Sequence, residues 1–200
     1  GVDFVPVFNP INNTTQPVEA IITVTPLYTG NEVDCPGVSQ QFIITVNPSA
    51  DMNSVSNQVV CNGDLTTVNF TTDNTGGITS YTWENGGVDV GLGATSGTID
   101  DSDVDISFTP SNSGSVAIST TITVTPTYTN DGEACTGPSK QFTITVNPTA
   151  QVNNIDSIVK CNADTVDEIV FSTENTNGTT IYTANEEPQP QVRVALGFSK

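Results

Sequence analysis

Apolar and polar residues alternate along most of this 200-residue chain. In Thr121-Ile122-Thr123-Val124-Thr125 and in Gln141-Phe142-Thr143-Ile144-Thr145-Val146, every second residue is apolar. That is the pattern of a strand with one buried face and one wet face. The 3.6-residue spacing of an amphipathic helix is absent. Turn-forming clusters separate the alternating runs: Asp73-Asn74-Thr75-Gly76-Gly77, Glu84-Asn85-Gly86-Gly87, Ser111-Asn112-Ser113-Gly114 and Asn130-Asp131-Gly132. Their spacing predicts an all-β fold, an antiparallel β-sandwich of about seven strands. The strands are expected near 50–56, 66–72, 79–84, 88–92, 103–109, 117–129 and 139–147.

The pattern returns after 100 residues. Ile22-Thr23-Val24-Thr25-Pro26 recurs as Ile122-Thr123-Val124-Thr125-Pro126, and Ile44-Thr45-Val46-Asn47-Pro48 as Ile144-Thr145-Val146-Asn147-Pro148. Between 20–50 and 120–150, 18 positions are identical without a gap. A period of this length is that of a self-sufficient domain, not of a solenoid unit. The chain therefore reads as three pieces arranged end to end: 1–47 as the C-terminal part of one repeat, 48–147 as a complete repeat, and 148–200 as the N-terminal part of a further, diverged one. Residue 1 aligns with residue 101, inside a repeat, so the chain reads as an excerpt of a longer array. Asn47-Pro48 and Asn147-Pro148 are the expected joints. Pro26 and Pro126 fall inside the longest strand pattern, where a missing N–H predicts a bulge or a strand that switches sheets.

Charge narrows the partners. The formal net charge is -18, and Lys140, Lys160, Arg193 and Lys200 are the four basic residues. No basic patch for nucleic acid or an anionic membrane can be assembled from them. No apolar run approaches the roughly 18 residues of a spanning helix, so direct membrane insertion is not expected. The chain has no histidine, which removes Ser-His-Asp triads and His-ligated zinc. No Gly-rich phosphate loop precedes a helix pattern. The chain is not expected to be an enzyme.

Tyr81-Thr82-Trp83-Glu84-Asn85-Gly86-Gly87, followed by Thr121-Ile122-Thr123-Val124-Thr125-Pro126-Thr127-Tyr128 and the Gln141-Phe142-Thr143-Ile144-Thr145-Val146-Asn147-Pro148 ending, resembles the PKD-like, immunoglobulin-like tandem repeats of Bacteroidota surface proteins. The nearest resemblance is to giant cell-surface adhesins of the gliding-motility type. PKD domains carry Trp-Asp-Phe-Gly-Asp-Gly at this point, and the Phe and second Asp are missing here. The resemblance implies tandem immunoglobulin-like domains, export by the type IX route, and an extracellular, cell-surface location attached to an outer membrane. Trp83, Tyr28 and Tyr128 are then core residues. It also implies O-glycosylation at Asp-Ser/Thr-apolar sequences, which makes Ser157 and Thr165 candidates. Asn12, Asn13, Asn69 and Asn177 begin Asn-x-Ser/Thr sequons.

Comparison between copies tests the remaining candidates. Asp101, Asp103 and Asp105 alternate as oxygen ligands for Ca²⁺ would, but their mates in the preceding copy are Gly1, Asp3 and Val5. No cofactor is expected in every repeat, calcium being the one candidate. Lys140, a candidate for an isopeptide crosslink, has Gln40 as its mate. The cysteines do recur, Cys35 with Cys135 and Cys61 with Cys161, which suggests disulfides in an exported chain. Cys135 is expected in the loop before the last strand and Cys61 at the opposite end of the sandwich, too far apart to bond. Two pairings stay open. One crosses a joint, from a Cys61-type residue to the Cys135-type residue of the next repeat. The other joins Cys35 to Cys61 and Cys135 to Cys161, if 51–60 fold back along the preceding strand.

The expected function is that of a structural stalk segment in a large filamentous adhesin, acting in surface attachment or gliding, its partners being neighbouring repeats of the same chain. The alternative is a carbohydrate-binding module that reads surface polysaccharide through its loop tips. Comparing Asn31-Glu32-Val33-Asp34 with Asp131-Gly132-Glu133-Ala134, neither copy gains an aromatic, which favours the stalk.

Overall fold

The computed structural model describes residues 7–100 and 105–184. The described chain is all-β, with twelve strands: β1 Val18–Val24, β2 Leu27–Gly30, β3 Val33–Pro36, β4 Gln40–Val46, β5 Gln58–Cys61, β6 Thr66–Asn69, β7 Ile78–Asn85, β8 Ser96–Ile99, β9 Asp105–Phe108, β10 Ile118–Asn130, β11 Glu133–Thr136 and β12 Lys140–Asn147. Its architecture is consistent with a β-sandwich.

The 13-residue β10 organises the middle copy. One edge pairs with β7 and the other with β12 and then β11, in the order β5-β12-β10-β7-β8. β6 and β9 form a separate antiparallel pair. Their Val68, Ile106 and Phe108, with Phe70, share one core with Tyr81, Trp83, Ile122, Val124, Phe142, Ile144 and Val146. Alternation explains the split: along β10, Ile122, Val124, Pro126 and Tyr128 are buried while the intervening threonines are partly exposed.

Pro126 lies within β10 without a bulge. β12 pairs with β10 up to Val124↔Lys140 and β11 takes over at Thr127↔Thr136. The Pro126 carbonyl accepts from the Gly137 N–H between them, at 3.0 Å. Since N–H and C=O of one residue point to the same side of a strand, the missing donor of Pro126 faces that crossover and breaks no ladder bond.

Two expected strands are turns or extended coil. At 88–92, the Asp89 side-chain oxygen accepts from the N–H groups of Gly91 and Leu92, an Asx-type turn that competes with a ladder. At 50–56, backbone pairing gives way to single bonds such as Asn53 N–H to the Thr71 carbonyl oxygen, 2.8 Å. The strand of this region is β5, which runs parallel to β12, where an antiparallel neighbour was expected. Two strands were not expected. β8 contains Gly97, where a Cβ would lie 2.6 Å from Trp83 Nε1, so the glycine that weakens the strand pattern is what seats the indole. β11 follows Asp131 and Gly132, both at positive φ, the tight-hairpin geometry that Asp-Gly favours. Cys135 is therefore in a strand, not a loop.

The first copy repeats this hairpin at half scale. β1 and β4 pair with the register Ile22↔Phe42, matching Ile122↔Phe142. Thr25 Oγ1 meets Ser39 Oγ at 2.7 Å as Thr125 meets Ser139, and Gln41 reaches Thr23 as Gln141 reaches Thr123.

Candidate functional site at the repeat joints

The recurring polar residues converge where one copy meets the next. Each copy closes its trailing end with one asparagine. Asn112 is 5% exposed, and its amide nitrogen donates to the carbonyl oxygens of Val116 at 2.9 Å and Val146 at 2.8 Å. Its side-chain oxygen accepts from the Gly114 N–H. Asn12 makes the same contacts with Gln16, Val46 and Thr14. A buried amide whose donors and acceptor are all used clamps the loop before β10 onto the end of β12.

The next copy plugs into that end with a turn. At the first joint, Asn74 Oδ1 accepts from the Asp51 N–H at 2.7 Å and Asn74 Nδ2 donates to the Ser49 carbonyl oxygen at 3.2 Å. The Thr75 N–H then donates to the Thr15 carbonyl oxygen at 2.8 Å. The second joint repeats the set. Asn175 accepts from the Gln151 N–H at 2.8 Å and donates to the Thr149 carbonyl oxygen at 3.1 Å, and the Thr176 N–H donates to the Ser115 carbonyl oxygen at 3.0 Å. At the first joint Asn47 and Asn130 also exchange bonds, 3.2 Å and 3.0 Å.

Sequence comparison found Asn47, Asn147 and the prolines but missed Asn74 and Asn175. The reason is a one-residue insertion: Phe70, Asn74 and Tyr81 align with Phe171, Asn175 and Tyr182 at an offset of 101, so a fixed period of 100 slides past them. The buried Asn112 was read as an ordinary turn residue, and Asn12 as the start of a sequon.

The electrostatics of the joint are modest. Lys140 pairs with Asp51 at 2.9 Å and also donates to the Met52 carbonyl oxygen. Its hydrogen bond to Asp51, helped by the Met52 N–H, holds that carboxyl below its ordinary value. Burial pushes the Tyr128 phenol up, and the nearby Cys135 and Asp131 add to the effect.

The cysteines lie at the repeat ends. Cys61 sits opposite Asn147 and Cys135 opposite Tyr128. With Ile118 opposite Val146, about ten residues of β10 separate these levels, roughly 33 Å at about 3.3 Å per residue, far beyond the ~7 Å a bridge allows. Residues 51–60 do not fold back on β4, because β5 joins β12. Cys35, opposite Tyr28, lies away from the joint in one direction and Cys61 in the other, so the Cys35–Cys61 pairing is corrected. All four thiols are unpaired.

The other candidates stay apart from the joints. Asp101 and Asp103 lie outside the described residues, while Asp105 is exposed in β9 opposite Asn69. No group of three metal-ligating side chains forms among the described residues. Ser157 and Thr165 are exposed, outside any strand. Trp83 and Tyr128 are buried, but Tyr28 is 73% exposed; its expected core role is corrected, because the layer that covers Tyr128 has no counterpart over β1–β4 among the described residues. No family model matches the chain, and no curated protein matches it either.

Proposed function

We propose that this chain is a stalk segment of a large filamentous cell-surface adhesin, built from tandem immunoglobulin-like (PKD-like) sandwiches and serving surface attachment or gliding. The observation that carries this reading is the reuse of one set of hydrogen bonds at both joints. A joint that spends Asn74 or Asn175 and a threonine N–H on a defined contact favours one orientation between neighbours, and a series of such joints makes a stiff spacer. The acidic, histidine-free composition suits a solvated surface chain that resists association through other faces. The Asn47 end of one repeat also meets the hairpin that carries Cys135, the arrangement a joint-crossing disulfide needs.

The test is solution scattering from four tandem copies of 48–147, together with a glycan array. A rod-like profile without saturable glycan binding is the expected result. A flexible-bead profile, or saturable binding to one glycan, overturns the stalk reading.

A further inference from the structure

The middle copy serves as a reference for the half-copies on either side of it. In it, Phe142 of β12 packs on Phe70 with ring centroids 6.2 Å apart, and Phe70 packs on Tyr81 at 5.6 Å. The first copy presents the same β1–β4 hairpin with its apolar face bare: Phe42 is 44% exposed, against 2% for Phe142. The third copy presents the opposite half. Phe171 stacks on Tyr182 at 5.6 Å, the Phe70–Tyr81 separation, yet Phe171 is 39% exposed against 0% for Phe70.

Beside that pair opens a cavity of about 270 Å³, lined in part by Ala150, Val152 and Tyr182. Their counterparts in the middle copy are Ala50, Met52 and Tyr81, and each is covered by the later half of the same repeat. Gly137 closes on the Ala50 carbonyl, Lys140 reaches the Met52 carbonyl, and Pro126 lies opposite Tyr81. The two exposed faces are thus the two sides of an interface that the middle copy already contains.

We infer that copies of this chain join head to tail, the β1–β4 hairpin of one docking on the Phe171–Tyr182 face of the next to complete a repeat across two molecules. The middle copy sets the register. Pro26 comes opposite Tyr182 and Tyr28 opposite Thr180, as Pro126 faces Tyr81 and Tyr128 faces Thr79, and Phe42 takes the place of Phe142 on Phe171. Strand pairing supplies backbone bonds and the aromatic seat supplies selectivity. Two different faces meet, so the interface is heterologous: every added copy leaves one face free, and association propagates into a linear or closed series. The inference stands apart from the stalk reading, since it follows from contacts within the middle copy alone.

Sedimentation velocity of the 200-residue chain, of Phe42→Asp and of Phe171→Asp tests it. The wild-type chain forms a concentration-dependent ladder beyond dimers, and each variant alone is monomeric. An equimolar mixture of the two forms a 1:1 dimer and stops, because one variant keeps an intact acceptor and the other an intact hairpin. Emission of Trp83, buried in the middle copy, stays unchanged in both. A wild-type chain that remains monomeric or halts at a dimer, variants that still form the ladder, or a mixture that yields no dimer each overturns the proposal.

Discussion

The Tyr128 hydroxyl donates to the Thr75 carbonyl oxygen at 2.9 Å, while the N–H of the same threonine donates to the Thr15 carbonyl oxygen at 2.8 Å. One residue therefore ties the buried end of β10 to the copy before it. Asn74, the preceding residue, is held by Thr72 and by the Asp51 N–H, so the turn arrives at the joint already shaped. Core, turn and joint form one connected unit.

Tyr128→Phe removes the hydroxyl and leaves the Thr75 carbonyl without that donor. A loss of about 0.5–1.5 kcal/mol is expected, read as a lower urea midpoint. Because burial holds the folded phenol above its ordinary value of 10.0, the folded state retains a proton that the unfolded state releases. The associated stability is complete below about pH 10 and is lost as pH rises through the folded value. Urea midpoints measured across the alkaline range should fall less steeply in Tyr128→Phe than in the wild type.

Asn112→Ala leaves the Val116 and Val146 carbonyls without their shared donor in a buried setting. The cost should be about 1–3 kcal/mol. Asn112→Asp keeps the acceptor for the Gly114 N–H but not the amide donors, so it fails to restore the midpoint in the same denaturation experiment.

Gly137→Ala should destabilise more than Gly37→Ala. A Cβ at Gly137 falls 1.8 Å from the Ala50 carbonyl oxygen, which is backbone, whereas at Gly37 it meets Pro26 Cγ, a ring atom, at 2.7 Å. Overpacking of this kind costs about 1–3 kcal/mol. Differential scanning calorimetry of the two variants checks the order.

Asp51 gives the acid side a smaller signature. Its folded value is lowered chiefly by the hydrogen bond from Lys140, so the associated stability is present above about pH 4 and lost as pH falls through the folded value. The pair is solvent-exposed and worth less than about 1 kcal/mol. Lys140→Gln, which installs the residue of the first copy, should flatten the acid limb of the stability profile and reduce its salt dependence.

Legibility differed by element. β7, β10 and β12 were readable because alternation of apolar and polar side chains is a local property. β8 was not, since its small residues and Gly97 make sense only once Trp83 lies over them. β5 was displaced by several residues because its partner is a parallel strand more than 80 positions away, and no local pattern encodes a parallel neighbour. The joints were half-legible: the Asn-Pro pairs recur on a fixed period, while Asn74 and Asn175 differ by the inserted residue.

By itself the sequence determined the strand-forming character, the 100-residue period and the absence of histidine chemistry, all of which follow from residue identity and spacing. The tertiary structure decided what covers what. Phe42 and Phe142 occupy the same register in the same hairpin, yet only Phe142 has Phe70 to pack against. Burial is a relation between distant segments, so identical local sequences acquire a core in one copy and an open face in another.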